Sequence, residues 1–204
     1  QEQQALLRLR HPYIAALHDA GVAADGTPWL AMALVEGEPI DRWCRARHLD
    51  AAARVERVLE VCEALDYSHR NLVVHRDIKP SNVLVGDDGH VRVLDFGIAR
   101  LLGENDSAHT RTQLRALTPE YAAPEQFAGA PPSTAMDVYG IGALLYRLLA
   151  GAPPQHGAQG TITAPSRRLR AQAGAQAPAE LRQRIKRLRG DLDTIVMKAL
   201  AGRP

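Results

Sequence analysis

The run His75-Arg76-Asp77-Ile78-Lys79-Pro80-Ser81-Asn82, followed by Asp95-Phe96-Gly97, holds the residues with the most chemistry in the chain. It sets a carboxylate that can take a proton (Asp77), an ammonium two residues on (Lys79) and two oxygen donors for a cation (Asn82 and Asp95) on neighbouring loops. These are the parts needed to move a phosphoryl group from a nucleotide to a hydroxyl, a reaction that rests mainly on positioning and electrostatic stabilisation. No activated covalent nucleophile is required. Cys44 and Cys62 fall in helical patterns and read as core residues.

The surrounding elements must bring these groups together. Asn82 opens the apolar run Val83-Leu84-Val85, Gly86-Asp87-Asp88-Gly89 signals a tight turn, and His90-Val91-Arg92-Val93-Leu94 alternates as a second strand. A hairpin on this turn sets Asn82 and Asp95 side by side at its base. An amide oxygen and a carboxylate there suit Mg2+, which keeps water and phosphate oxygens as its other ligands. The plain alternative is a hairpin with ordinary polar ends. Residues 39–48 and 50–70 read as two helices, the second capped by Asp50, with Val55, Val58, Leu59, Cys62 and Leu65 on its apolar face. Residues 29–35 read as a buried strand, and 138–149 as a long apolar helix begun by Asp137, whose carboxylate needs hydrogen-bond partners there. Residues 152–165 show no helical period. The basic stretch 181–192 reads as a solvated helix face, with an acidic partner or a membrane surface as the functional alternative, and 192–200 reads as a further helix.

A third segment, Ala123-Pro124-Glu125, follows in order. With it the chain resembles, almost end to end, the bacterial eukaryotic-like (Hanks-type) serine/threonine protein kinases. The resemblance implies an α+β, protein-kinase-like fold with a mostly helical C-lobe over 36–204. The N-lobe remnant, 1–35, would hold only the end of the family's regulatory helix and its fourth and fifth strands. A partial kinase domain then covers 1–204. Neither G-x-G-x-x-G nor V-A-I-K occurs, so the Gly-rich loop and the third-strand lysine have no counterpart, and the C-terminal end is expected to be cut as well. The chain by itself is therefore expected to be inactive.

The resemblance also implies roles. Asp77 would accept the proton of the substrate hydroxyl, Lys79 would neutralise charge on the moving phosphoryl group, and Asn82 with Asp95 would hold the metal. Met32 falls at the gatekeeper position, Ala33 and Val35 belong to the hinge that meets adenine, and Leu84 joins Asp95 among the nucleotide-binding residues. Ala33 replaces an acidic residue common there. Glu2 would pair with the missing lysine. Leu6, Leu17, His75 and Phe96 would stack as a spine from which Phe96, beside Gly97, can leave. Arg76 would pair with a loop phosphate at Ser107, Thr110 or Thr112. Thr118 would bond Asp77 and Lys79, Glu125 would take an ion-pair partner, and Asp137 would hold the backbone of the 75–82 loop. The implied cofactors are ATP and Mg2+, with Mn2+ as a substitute. The implied partners are proteins offering Ser or Thr, and a second kinase domain for autophosphorylation.

Composition bounds the alternatives. With 46% hydrophobic and 24% charged residues, the 204-residue chain suits one soluble globular domain. A net charge of +2 is too small to argue for nucleic acid or a membrane surface. The most apolar helix is interrupted by Arg147 and too short to cross a bilayer. Two cysteines without a paired motif suggest a reducing compartment, hence a cytoplasmic domain with any membrane anchor outside it. An Ala-, Arg- and Leu-rich, Lys-poor composition suggests a GC-rich bacterial genome. Two other classes stay open: a pseudokinase-like binding module, which fits the absent lysine and glycine loop, and a small-molecule kinase of the aminoglycoside type, which usually lacks an Ala-Pro-Glu segment.

Overall fold

Val83, Val85, Val91 and Val93 are fully buried, while Leu84 and Arg92 between them are half-exposed. That alternation is the pleat of a β-hairpin with one face on the core. In the computed structural model, which describes residues 8–25, 27–96, 118–155, 161–174 and 177–201, the hairpin is β4 (Val83–Gly86) with β5 (Val91–Val93). β3 (Gly37–Pro39) adds to its outer edge, giving the antiparallel order β3-β4-β5. A second antiparallel pair joins β1 (Leu17–Val22) to β2 (Pro28–Met32). The chain entering β1 is tied to the hairpin, because Ala15 N–H donates to Val93 C=O at 2.9 Å and Val93 N–H to Tyr13 C=O at 2.8 Å.

Among the described residues there are seven helices: α1 (Ile40–Ala46), α2 (Ala51–Arg70), α3 (Pro124–Phe127), α4 (Thr134–Ala150), α5 (Pro165–Ala173), α6 (Ala179–Leu188) and α7 (Asp191–Ala199). α4 is apolar nearly all round, the pattern of a helix enclosed by others, and it packs against α1, α2, α5 and α7. Gly142 lets α7 approach, since a Cβ there would lie 2.8 Å from the Ala199 methyl. Gly151, in the left-handed region at φ 80, ends α4. The Asp50 side chain caps α2 by accepting from Ala53 N–H at 3.0 Å.

Four expectations change. The strand expected over 29–35 stops at Met32 and is half-buried: Leu30 and Met32 pack inward, while Trp29 is 42% and Leu34 87% exposed. The β1-β2 pair covers the core with one face only. α1 starts at Ile40, because Gly37, Glu38 and Pro39 pair with β4; a three-residue strand containing Gly and Pro carries no strand signal. On α2, Leu59 is exposed and Glu60 is buried in its stead. The basic helix ends at Leu188, not 192, because Gly190 at φ 114 breaks it before α7. α5, unread in the sequence, starts with Pro165 at its first position and is anchored by Ser166, which donates through N and Oγ to Asp193.

Candidate active site

Asp137 lies in the first turn of α4 and is 1% exposed. A carboxylate so placed is stable only with donors around it, and it has three. Oδ1 accepts from Arg76 N–H at 2.7 Å, Oδ2 accepts from His75 N–H at 2.8 Å, and His69 Nε2 lies 2.7 Å from the same Oδ2. The 75–82 loop is thereby fastened to α4 through its backbone. It also lies close to the helix: a Cβ on Gly140 would come within 2.9 Å of Ile78 Cβ.

Arg76 takes the left-handed conformation at φ 70, which costs a non-glycine residue roughly 1–3 kcal/mol. It is held from both sides, by Asp137 at its N–H and by Gln126, whose Nε2 donates to Arg76 C=O at 2.8 Å. Gln126 Oε1 in turn accepts from Ala123 N–H at 2.8 Å, a capping interaction at the third position of α3. Gln126 therefore joins the Ala-Pro-Glu segment to the loop. The sequence signal for it was a glutamine two residues after Pro124.

The reactive groups converge beyond this anchor. Lys79 Nζ lies 2.6 Å from Asp77 Oδ2 and donates to Thr118 Oγ1 at 3.2 Å. Asn82 Nδ2 donates to Asp77 C=O at 2.9 Å and to Asp77 Oδ2 at 3.0 Å. With both amide hydrogens spent on Asp77, Asn82 keeps its Oδ1 as an acceptor, met among the described residues by the Ser81 hydroxyl at 3.4 Å. Leu94 N–H donates to Asn82 C=O at 2.8 Å, which closes the hairpin base and sets Asp95 beside Asn82. Asp95 is exposed and also left-handed, at φ 51. Among the described residues no three His, Cys, Asp or Glu stand together as a metal cluster. The chemistry of the pair suits a hard divalent cation nonetheless, since such an ion can be held by one or two protein oxygens with water and phosphate completing its shell.

His75 is fully buried. Its Nε2 donates to Leu94 C=O at 2.7 Å and its Nδ1 accepts from Asp77 N–H at 3.2 Å, the pattern of a neutral imidazole. Burial pushes its pKa below the usual histidine range, against the pull of Asp137, the Leu94 carbonyl, Asp77 and Asp95. Its ring meets Phe96 at 4.6 Å between centroids. Phe96, Leu17, Met32 and Asp95 line one hollow of about 20 Å3, room for a single water. In the segment expected as a hinge, Ala33 N–H is taken by Ala16 C=O at 2.8 Å, and Val35 is half-buried. Leu84 is half-exposed on β4, and Glu125 is half-buried in α3.

Glu60 is a second residue that sequence reading missed. Its carboxylate accepts from Val91 N–H at 2.9 Å and pairs with His90 at 3.1 Å and Arg57 at 2.8 Å, fastening the hairpin to α2. Glu2, Leu6, Gly97, Ser107, Thr110 and Thr112 lie outside the described residues.

The order of these groups along the chain has a known counterpart: the family model described as protein kinase domain matches residues 1–195. This chain belongs to the protein kinase family. The kinase domain is similar over its whole length to serine/threonine-protein kinase PknB of Mycobacterium tuberculosis, at 33% identity over 208 residues covering 32% of that protein. It is 36% identical over 209 residues to serine/threonine-protein kinase PknJ of Mycobacterium bovis, covering 34% of it, and 35% identical over 208 residues to a probable serine/threonine-protein kinase of Streptomyces coelicolor, covering 30%. The chain thus spans about a third of the length of the curated relatives it matches. The α+β kinase fold follows from membership, as does the family's general use of ATP and a divalent cation. No helix among the described residues is long and apolar enough to cross a membrane.

Proposed function

We propose that the protein is a bacterial serine/threonine protein kinase, which transfers the γ-phosphoryl group of ATP to serine and threonine hydroxyls of other proteins. The observation that carries this reading is Lys79, held between the Asp77 carboxylate and the Thr118 hydroxyl on one side of the Asn82–Asp95 hairpin base. The names of the relatives point the same way.

Asp77 accepts a hydrogen bond from the incoming hydroxyl, aims its oxygen at the γ-phosphorus and takes its proton as the new P–O bond forms. Lys79 offsets the charge that gathers on the transferring oxygens, and Thr118 keeps its ammonium in place. Asn82 holds Asp77 through its amide hydrogens. Asn82 Oδ1 and Asp95 would hold Mg2+, which supplies positive charge to the phosphate oxygens when bound. Adenine would sit against Met32, Ala33, Val35 and Leu84. The N-lobe part is 1–35 and the C-lobe 36–204, and Ser107, Thr110 and Thr112 are the loop hydroxyls we assign as phosphosites. The domain works in the cytoplasm and phosphorylates a second copy of itself as well as other proteins.

The test is incubation of the full-length protein that carries this domain with γ-labelled ATP, Mg2+ and a serine- and threonine-containing protein, followed by phosphoamino-acid analysis. Labelled phosphoserine and phosphothreonine are expected. Nucleotide binding without transfer would replace the proposal with a binding module.

A further inference from the structure

The C-terminal end of α4 collects arginines. Arg54 donates through Nη1 to Leu148 C=O and through Nε to Leu49 C=O, and Arg184 donates through Nη2 to Leu149 C=O at 2.6 Å. Carbonyls in a helix's last turn lack intrahelical partners and form the negative end of its dipole, so cations gather there for a structural reason. That duty uses only part of each guanidinium, which carries five donor hydrogens in a planar fork.

The remaining edges face a hollow of about 480 Å3 where the end of α1 and the start of α2 meet α6. Its charged lining is Arg45, Asp50, Arg54, Glu180, Arg184 and Arg187, four guanidinium groups against two carboxylates, with His48 at its edge. Asp50 already caps α2 and meets Arg187 only at 3.4 Å, both side chains being more than half exposed, so solvent screens that pair. Arg54 and Arg184 are half-buried on the floor. Burial lowers the proton affinity of both, and for Arg54 the neighbouring charge of Arg184 adds to it. The hollow adjoins the start of α2, whereas Asp77 follows its far end, and a helix of 20 residues spans about 30 Å. It is a separate place from the cleft.

We propose that this hollow binds a phosphate dianion, either free or carried on a phosphorylated side chain. A compact dianion matches the excess of two positive charges and can accept from both floor guanidinium groups at once. The site stands whether or not the cleft transfers phosphate, since none of its residues belongs to the Asp77 cluster.

The test is calorimetric titration of the protein with its cleft filled by a non-hydrolysable ATP analogue and Mg2+. The probes are inorganic phosphate, a phosphoserine peptide and the same peptide without phosphate. Phosphate and phosphopeptide should compete for one site, with the unmodified peptide at least about tenfold weaker. A phosphopeptide at least about tenfold tighter than phosphate marks a protein-borne ligand, and equal affinity marks a free anion. Arg184→Gln should abolish binding. Because Arg184 also supports α4, the rim double variant Arg45→Gln/Arg187→Gln is measured beside it; it should weaken binding about tenfold without moving the melting temperature. Absence of binding by either phosphate probe, or a rim variant that binds as tightly as the native protein, overturns the proposal.

Discussion

Replacing Asp137 by Asn tests how the 75–82 loop is held, because the change keeps shape and removes acceptors. The carboxylate serves three donors through two oxygens. An amide offers one oxygen. If that oxygen takes the place of Oδ2, it keeps His75 N–H and His69, but the amide nitrogen then faces Arg76 N–H across a 2.7 Å gap, donor against donor. The opposite orientation leaves His75 N–H unmet and makes His69 change tautomer to keep its contact. The smallest loss is one charge-assisted hydrogen bond with a buried donor left unmet, together about 3 kcal/mol. In a domain of this size that lowers the melting temperature by roughly 6–12 °C. The lost bond also helps keep Arg76 at φ 70, so Asp77, the next residue, should shift. A displacement near 1 Å at a reacting group costs about a hundredfold in rate. Thermal melting and labelled phosphate transfer at 25 °C, both on the full-length protein, read the two effects. A variant that melts within about 2 °C of the native protein and transfers phosphate within about twofold of it would refute the anchoring argument.

Three further outcomes follow from the same contacts. Gly140→Ala should push against Ile78, which is 2% exposed and has no room to yield, and destabilise by about 1–3 kcal/mol on thermal melting while slowing transfer. His75 is neutral when folded, with its pKa below the usual 6.5, so the unfolded chain binds the extra proton first. Its contribution to stability is complete above about pH 6.5 and is lost as the pH falls from there towards the lower folded value. Melting curves of the native protein from pH 8 to 5 should therefore fall more steeply than those of His75→Phe, and parallel curves would contradict this. Asp95→Ala should abolish Mg2+-dependent ATP binding in a calorimetric titration, whereas unchanged affinity would remove Asp95 from the metal site.

How much could be read from the sequence depended on the range of the interactions. The β4-β5 hairpin is legible because alternating valines flank a Gly-Asp-Asp-Gly turn, so pleat and turn agree locally. The Asp50 cap is legible for the same reason. Gln126 and Glu60 are not, since each acts on backbone groups 50 and 31 residues away, and no local pattern reports such a bond. That Asp137 needs partners is legible from the apolar helix it opens, but which groups they are is not, since they lie 61 and 62 residues upstream. Leu59 and Glu60 were exchanged because hydrophobicity placed the buried face of α2 without regard to the ion pairs that let a glutamate enter it. The hydroxyls proposed for phosphorylation lie in residues outside the described ones, so their reading rests on sequence alone.

In the proposed transfer, Asp77 receives the proton of a protein hydroxyl. Asp77→Asn in the full-length protein removes that acceptor, with labelled phosphate transfer and nucleotide affinity measured on one preparation. Asp77 meets Lys79 and Asn82, and in the proposed mechanism it acts on the hydroxyl rather than on ATP. kcat should fall by about 10²–10⁴-fold, the usual worth of a general base, while the dissociation constant for Mg-ATP stays within about threefold. Transfer at close to the native rate by the variant would contradict that role for Asp77.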